Sequence, residues 1–204
     1  MQPDSRPRWS IFPPAESTLA RFLEAQAGAA VSYSEVGESR TGSPFGYIVD
    51  HNRVQIGHGE DDFAAACEAL REWKMFPSSW TEITPDAAPV REGMVVAMQA
   101  HALGLWWLNA CRIVYLVNEY TPVRRVGFAY GTLPAHVEQG EECFTVELHP
   151  DRSVWYDVRA FSRPRYWPVR WAKPLARRLQ RRFVRDSQTA MREAVARRSA
   201  PMPS

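Results

Sequence analysis

The chain has 204 residues, of which 45% are hydrophobic, 24% charged and 12% aromatic, and its formal net charge is +2. A chain of this length can fold as one domain and buries enough surface that it needs no disulfides or structural metal to fold. The three cysteines, Cys67, Cys111 and Cys143, have neither metal-ligand nor redox spacing.

Positive charge is concentrated towards the C-terminus. From Arg163 onward, twelve Lys and Arg residues stand against Asp186 and Glu193, whereas residues 1–162 carry an excess of acidic residues. Such a division is typical of a basic segment that binds nucleic acid or an anionic membrane. It is equally typical of a helix whose basic face lies on the acidic body of the same protein. Charge alone does not choose between the two.

The most apolar stretch, from Met94 to Val117, is interrupted by Gln99, His101, Asn109 and Arg112, which excludes a transmembrane helix. The first residues lack the apolar segment of a signal peptide. The cysteines are best interpreted as small buried hydrophobic residues in a reducing compartment. We therefore expect a cytoplasmic protein, and we expect no cofactor.

Three elements are predicted in the first 36 residues. Residues 1–15 are rich in Pro and Arg, and we expect them to be a flexible N-terminal extension. Leu19 and Phe22 recur at helical spacing and predict a helix over about residues 16–27. The following residues, 31–36, have the composition of a strand.

A pair of strands and a helix are predicted next. Alternating residues on either side of positions 50–52 predict two short strands joined by a tight turn. The carboxylate of Asp61 or Asp62 suits the N-terminus of a helix, because it accepts free backbone N–H groups. Apolar residues from Phe63 to Trp73 recur at helical spacing, and Pro77 prevents continuation.

From Trp80 to Phe161 the hydrophobic pattern changes to the period of strands. Turn sequences separate the strands, and no helical segment lies between them. Successive strands with short turns favour an antiparallel meander over a parallel sheet. The predicted strands cover residues 80–84, 93–100, 110–117, 125–133, 143–148 and 154–161.

The last predicted element is a helix from about Pro168 to Arg197, with Pro174 in its first turn. An apolar stripe on one face must dock on an apolar surface, and the concave face of the meander is the best candidate. The stripe consists of Leu175, Leu179, Phe183, Ala190, Met191 and Ala194, and the opposite side carries Arg177, Arg178, Arg181, Arg182 and Arg185.

The order of elements predicts an α+β fold in which a curved antiparallel sheet of about six to seven strands wraps around the C-terminal helix. One domain covers residues 16–198, and residues 199–204 are expected to be a disordered tail. The order resembles the START-like helix-grip fold of polyketide cyclases, lipid-transfer domains and plant pathogenesis-related proteins. That resemblance implies an apolar cavity between sheet and helix. The chain departs from the pattern by having one helix, not two, after the first gripping strand, and by an added N-terminal segment.

Five short runs carry a closer resemblance. They are Tyr33–Gly37 (YSEVG), Pro44–Tyr47 (PFGY), Cys111–Tyr115 (CRIVY), Gly127–Pro134 (GFAYGTLP) and Ala160–Pro164 (AFSRP). In sequence and in order they are similar to a bacterial and plant family known as domain of unknown function 1990, or uncharacterised protein family 0548. The resemblance implies no catalytic mechanism.

Ionisable side chains are most concentrated in residues 136–142, a segment predicted to lie at a turn between two strands. An imidazole beside a carboxylate can transfer protons once that neighbour tunes its pKa. The spacing of His136 and Glu138 places both on one face of an extended chain. His136, Glu138 and Glu141 are therefore candidate catalytic residues. The alternative is a solvated hairpin tip without a chemical role.

Candidate ligand-binding residues lie in the middle of the predicted strands and the last helix. Arg112 is surrounded by apolar residues, and a buried guanidinium needs a carboxylate or a ligand as its partner. Alternation equally allows Arg112 to face solvent. The candidate set is Arg112, Tyr115, Phe128, Tyr130, Trp107 and Phe183. No two histidines have metal-binding spacing, so no metal site is predicted.

We therefore expect a binder of a small hydrophobic ligand, held in a cavity between the sheet and the C-terminal helix. One alternative is an enzyme that uses His136 with Glu138 or Glu141 for acid–base chemistry. Another is an adaptor that binds an anionic membrane or nucleic acid through its basic helix. The sequence leaves the ligand, any reaction and the oligomeric state open.

Overall fold

The structure is a computed structural model that describes residues 8–77, 79–85, 89–165 and 173–199. Within these ranges the helices are α1 (Glu16–Gln26), α2 (Glu60–Arg71) and α3 (Lys173–Ser199). The strands are β1 (Arg8–Ser10), β2 (Ile48–His58), β3 (Thr81–Thr84), β4 (Val95–Ala102), β5 (Leu105–Glu119), β6 (Arg124–Thr132), β7 (Glu138–Leu148) and β8 (Ser153–Pro164).

The strands form one antiparallel sheet in the order β2-β8-β7-β6-β5-β4-β3, and β1 pairs with β5 outside this path. From β3 to β8, consecutive strands pair with each other as a meander, and β2 then pairs with β8. The predicted α+β fold, a curved antiparallel sheet gripping a long C-terminal helix, is confirmed.

The larger part of the core lies between the concave face of the sheet and the two helices α2 and α3. Phe183 and Met191 of α3 are buried there, as their positions on the apolar stripe predict. The buried hydroxyl groups of Ser187 on α3 and Tyr156 on β8 are 2.9 Å apart, so a hydrogen bond fixes the helix on the sheet. The described helix begins at Lys173, with Pro174 in its first turn; the predicted start near Pro168 lies outside the described residues.

A smaller core covers the convex face. Leu19 and Phe22 of α1 pack against small residues of β4 and β5, among them Ala97 and Ala110. Because these alanines leave room above the sheet, the helix can approach the strands closely. The N-terminal helix is thus a second layer of the domain.

Positions 50–52 do not form a turn, and this prediction was wrong. They lie inside β2, which pairs continuously with β8 apart from an irregularity between Gln55 and Gly57. Two of the polar residues that suggested a turn have partners elsewhere in the fold, His51 on β8 and Asp50 on α3. His51 Nε2 lies 2.5 Å from Asp157 Oδ2, and Asp50 binds Arg177 of α3.

Residues 31–36 do not form the predicted strand either. They cross one end of the sheet, where the Ser32 amide donates to the Thr132 carbonyl oxygen at 2.8 Å. The Ser34 amide donates to Glu35 Oε2, and the Glu35 carbonyl oxygen accepts from the Glu38 amide, so these groups take no part in a strand ladder. Part of the expected N-terminal extension, residues 1–15, pairs with the sheet, because Arg8–Ser10 forms β1 beside β5. Residues 1–7 lie outside the described part.

Helix α2 begins at Glu60, directly after Gly59, whose φ of 91° is easily reached by glycine. Asp61 and Asp62, either of which was predicted to cap the helix, therefore lie in its first turn. Asp62 turns back and accepts a hydrogen bond from the His58 amide at 2.8 Å. None of the described helices is both long enough and apolar enough to cross a membrane.

Candidate ligand pocket

A pocket of about 600 Å³ lies between the concave face of the sheet and α3. This volume falls within the range of small-molecule sites, roughly 300–1,000 Å³. Most of the wall is apolar, and aromatic rings form a large part of it. The apolar lining includes Trp80, Met98, Trp107, Val158, Leu179 and Phe183.

One side of the pocket is polar, because a row of residues crosses four neighbouring strands there. Tyr130 on β6 pairs with Glu142 on β7, Glu142 pairs with Ala160 on β8, and Ala160 pairs with Asp50 on β2. All four line the pocket. Since Ala160 has only a methyl group, a gap separates the carboxyl groups of Glu142 and Asp50.

Glu142 is held by a single hydrogen bond. The Tyr130 hydroxyl donates to its Oε2 atom at 2.6 Å, and Oε1 has no hydrogen-bond partner among the described residues. Burial raises the pKa of Glu142 to about 7; the bond from Tyr130 opposes this rise, and the charges of Glu138 and Asp50 add to it. Glu142 can therefore exchange a proton near neutral pH, and it can act as a hydrogen-bond donor or acceptor.

The helix supplies partners for the other two carboxyl groups. Gln180 Nε2 donates to both carboxyl oxygens of Glu138 at 2.9 Å. Arg177 binds Asp50 through both terminal nitrogens, with Nη2 lying 2.8 Å from Oδ1. Burial raises the pKa of Glu138, although the hydrogen bonds from Ser162 and Gln180 act in the opposite direction. Neither Glu138 nor Glu142 forms an ion pair with a described residue.

His136 lies in the connection between β6 and β7 and lines the same pocket. Its Nδ1 atom accepts a hydrogen bond from the Glu138 amide at 2.9 Å. Nε2 has no hydrogen-bond partner in the described part of the chain. Burial lowers the pKa of His136 to about 4, and a positive charge on Arg165 adds to this. The imidazole is therefore neutral at pH 7 and supplies no positive charge to the pocket.

Glu141 does not belong to the pocket's polar side. Side chains alternate along β7, so Glu138 and Glu142 face the concave side while Glu141 faces the convex side. There its carboxylate accepts hydrogen bonds from the Tyr33 hydroxyl at 2.6 Å, the Gly37 amide at 2.9 Å, and both the amide and the hydroxyl of Ser39. The expected partnership of His136 with Glu141 is corrected accordingly: Glu141 anchors residues 33–39.

The segment 136–142 is also not a solvated hairpin tip. From Glu138 onward it is part of β7, and His136 and Glu141 are both buried. Among the described residues, no group of three or more His, Cys, Asp or Glu side chains is placed to hold a metal ion.

Half of the candidate ligand-binding residues line the pocket. Trp107, Tyr130 and Phe183 do so, whereas Arg112, Tyr115 and Phe128 do not. Phe128 lies deeper in the core, in edge-to-face contact with Trp73 at 4.9 Å between ring centroids. It supports the sheet beneath the pocket.

Arg112 and Tyr115 both lie on the convex side. Arg112 donates to the Ala27 carbonyl oxygen at 2.7 Å, so it satisfies the C-terminal end of α1. Tyr115 is displaced by a β-bulge: Ile113 pairs with Tyr130, but Tyr115 pairs with Ala129, which faces the other way. Regular alternation would have put Ile113 and Tyr115 on one face.

The polar residues Asp50, Glu142, Arg177, Gln180 and Ser162 were not among the candidates. Alternation from Glu138 to Glu142 could have identified Glu142, since residues four apart on a strand share a face. Asp50 and the two helix residues carry no such signal, because their proximity depends on the pairing of β2 with β8 and on the docking of α3.

Several arginines of α3 are engaged by the protein itself. Arg177 binds Asp50, Arg182 lies 3.3 Å from Asp186 and 4.5 Å above the Trp80 ring, and Arg198 lies 2.9 Å from Glu72. Among the described residues, Arg178 and Arg181 form no ion pair. The basic helix therefore lies partly on the acidic body, one of the two arrangements that the charge distribution allows.

Comparison with solved structures gives matches of low sequence identity. The crystal structure of a hypothetical protein from Helicobacter pylori, jhp0584, is 12% identical, with a TM-score of 0.49 over 84% of this chain and 96% of that chain. The crystal structure of Ara h 8.0201 is also 12% identical, with a TM-score of 0.46 over 74% of this chain and 99% of that one.

Sequence comparison gives closer relatives. A UPF0548 protein of Deinococcus radiodurans is 36% identical over 188 residues, which is 86% of this chain and 92% of the relative. A UPF0548 protein of Dictyostelium discoideum is 35% identical over 158 residues, 73% of each chain, and one of Arabidopsis thaliana is 31% identical over 150 residues, 72% of each. The family model described as Domain of unknown function (DUF1990) matches residues 32–190. The chain therefore belongs to the DUF1990 family, as its five sequence runs predicted.

Proposed function

We propose that this protein binds a small, mainly apolar molecule in the pocket between the sheet and α3. The observation that carries the proposal is the pocket itself: about 600 Å³, walled largely by apolar and aromatic side chains, with a few polar groups on one side. Sites of this composition take up apolar ligands, and the polar groups fix their orientation. A well-packed core leaves few voids larger than a water molecule, so a space of this volume is not a packing defect.

The test is a titration with the uncharged fluorescent probe N-phenyl-1-naphthylamine. We expect saturable fluorescence enhancement with a one-to-one stoichiometry, because the apolar pocket beneath α3 has room for one molecule of this size. Absence of saturable binding by the unmodified chain contradicts the proposal.

A substitution that fills the pocket localises the binding. Ala176 on α3 lines the pocket, whereas Ala196 on the same helix is exposed. We expect Ala176→Trp to abolish probe binding, since the indole occupies the ligand's space, and Ala196→Trp to bind as the unmodified chain does. Thermal melts of both variants establish that they are folded. A folded Ala176→Trp variant with unchanged probe affinity places the ligand elsewhere.

A further inference from the structure

The polar side of the pocket has more carboxyl groups than cations. Asp50, Glu138 and Glu142 contribute three carboxyl groups, and Arg177 contributes the one guanidinium that binds any of them among the described residues. Arg177 is engaged by Asp50 through both terminal nitrogens. No described side chain forms an ion pair with Glu138 or Glu142, although the charge of Arg177 also acts on Glu138.

The other described charged groups that line the pocket form no ion pair with Glu138 or Glu142. Arg181 and Arg185 are exposed, and Arg185 lies 3.4 Å from Asp186. His136 is neutral at pH 7, because burial lowers its pKa to about 4. Glu141 turns its carboxylate to the convex face, where Tyr33 and Ser39 bind it.

Two further observations concern polar atoms of the pocket that have no partner in the described protein. His136 is 8% exposed and lines the pocket, yet its Nε2 atom has no hydrogen-bond partner in the described chain. Glu142 uses only one carboxyl oxygen, and the methyl group of Ala160 leaves a gap between it and Asp50. Polar atoms in a pocket normally have partners, so the open oxygen of Glu142 marks a place for a donor of the ligand. Because Nδ1 of the neutral His136 accepts a hydrogen bond, its Nε2 carries the proton and can donate to an acceptor elsewhere on the ligand.

We propose that the ligand of this pocket carries a protonated amine, seated against Glu142 over Ala160, with its apolar part along the aromatic wall. The proposal rests on the proposed function, since it specifies the polar group of the same ligand. An ammonium group supplies hydrogen-bond donors and the positive charge that the two unpaired carboxyl groups lack. A carboxylate in the same position faces like charges and is disfavoured.

Three ligands of equal chain length test the charge directly: decylamine, decanol and decanoate, each measured by displacement of N-phenyl-1-naphthylamine. We expect decylamine to bind most tightly, decanol next and decanoate most weakly. If decanol binds and decylamine is no tighter, the amine proposal is wrong while the proposed function stands. If neither these ligands nor the probe bind, the proposed function itself fails.

Substitution of Glu142 tests whether its carboxyl group binds the amine. Glu142→Gln keeps the shape and an acceptor for Tyr130 but removes the charge, so we expect decylamine affinity to fall by about tenfold to a hundredfold. Decanol affinity stays unchanged. The matched control is Glu82→Gln, an exposed glutamate of β3 outside this pocket, with affinities like those of the unmodified chain. Equal loss of decylamine and decanol binding in Glu142→Gln overturns the proposal.

The pH dependence of decylamine binding by the unmodified chain tests the role of Glu142 without a substitution. The ionisable groups that line the pocket with Glu142 are Asp50, Tyr130, His136 and Glu138 from the sheet side and Arg177, Arg181 and Arg185 from α3. The buried Cys111 and Tyr156 side chains also interact with the charge of Glu142. Because the pKa of Glu142 is about 7, the ionised fraction rises steeply around neutrality. An alkylamine stays protonated there, so its affinity should increase by about tenfold from pH 6 to pH 8. A decylamine affinity that is flat with pH, or falls, contradicts a seat at Glu142.

Discussion

Strand β7 presents glutamates to both faces of the sheet, and the two faces treat them differently. On the convex face, Glu141 accepts four hydrogen bonds from residues 33–39, and Glu147 lies within 2.9 Å of nitrogens of Arg53, Arg125 and His149. On the concave face, Glu138 is bound by Gln180, and Glu142 accepts one bond from Tyr130. Residue type and strand are the same, so the surroundings alone make the difference.

The comparison separates structural carboxylates from those available to a ligand. A buried carboxylate with several donors stabilises its charged form and holds neighbouring segments in place. A buried carboxyl group without a cation favours its neutral form and gains from any cation that enters. The convex glutamates thus fasten the chain, and the concave ones face the pocket.

The largest expected effect is that of Glu141→Ala. The substitution leaves the Tyr33 hydroxyl, the Gly37 amide and both Ser39 donors without their acceptor, which should reduce the free energy of unfolding by about 3–5 kcal/mol. Chemical denaturation measures it. Glu138→Ala on the concave face is the matched control and should cost much less. Equal losses in the two variants would remove the distinction between the faces.

Glu147→Gln should lower stability at neutral pH by about 2–3 kcal/mol. Burial alone would raise the pKa of Glu147, but hydrogen bonds from His149, Arg125 and Arg53 lower it to about 2. Because the pKa of Glu147 is lowered, its ionised carboxylate stabilises the fold at pH values above 4.5. This contribution is lost as the pH falls towards 2. The difference between the unmodified chain and Glu147→Gln should therefore shrink on acidification. A difference independent of pH would contradict the assignment.

The change in stability caused by Glu142→Gln should have the opposite sign to that caused by Glu147→Gln. The pKa of Glu142 is raised from 4.5 to about 7, so the stability that its neutral form provides is lost as the pH rises through this range. Glutamine cannot ionise. Relative to the unmodified chain, the variant should therefore gain about 1–3 kcal/mol between pH 4.5 and pH 8. Urea unfolding at a series of pH values measures this gain, and a variant that is less stable at pH 8 than at pH 4.5, relative to the unmodified chain, would refute it.

The smallest effect is expected for Gln180→Ala, which removes the donor to both oxygens of Glu138. One hydrogen bond to a partly buried group contributes about 1 kcal/mol. Because that bond opposes the raised pKa of Glu138, its loss should raise this pKa further. Titration of the glutamate side-chain carbons by NMR measures the shift. Ala196→Trp, exposed on the same helix, should leave the pKa of Glu138 unchanged.

The sequence by itself determined the meander and the docked helix. Strand-period alternation from Trp80 to Phe161, with turns and no helices between strands, permits an antiparallel sheet. The apolar stripe that includes Phe183 and Met191 forces α3 onto an apolar face. Both signals are local, since they depend on residues that are near one another in the chain. The misplaced turn at positions 50–52 also came from local composition, which could not reveal that Asp50 and His51 have partners in α3 and β8.

Only the tertiary structure decided which polar side chains meet in the pocket. A bulge at Ile113–Tyr115 sends Tyr115 to the convex face, and one step along β7 separates Glu141 from Glu142. The row from Tyr130 to Asp50 exists because β2, distant in sequence, pairs with β8 as the edge of the sheet. Register and pairing over long separations are set by the packing of the whole core, because a slip of one residue would turn every buried side chain of a strand to the other face.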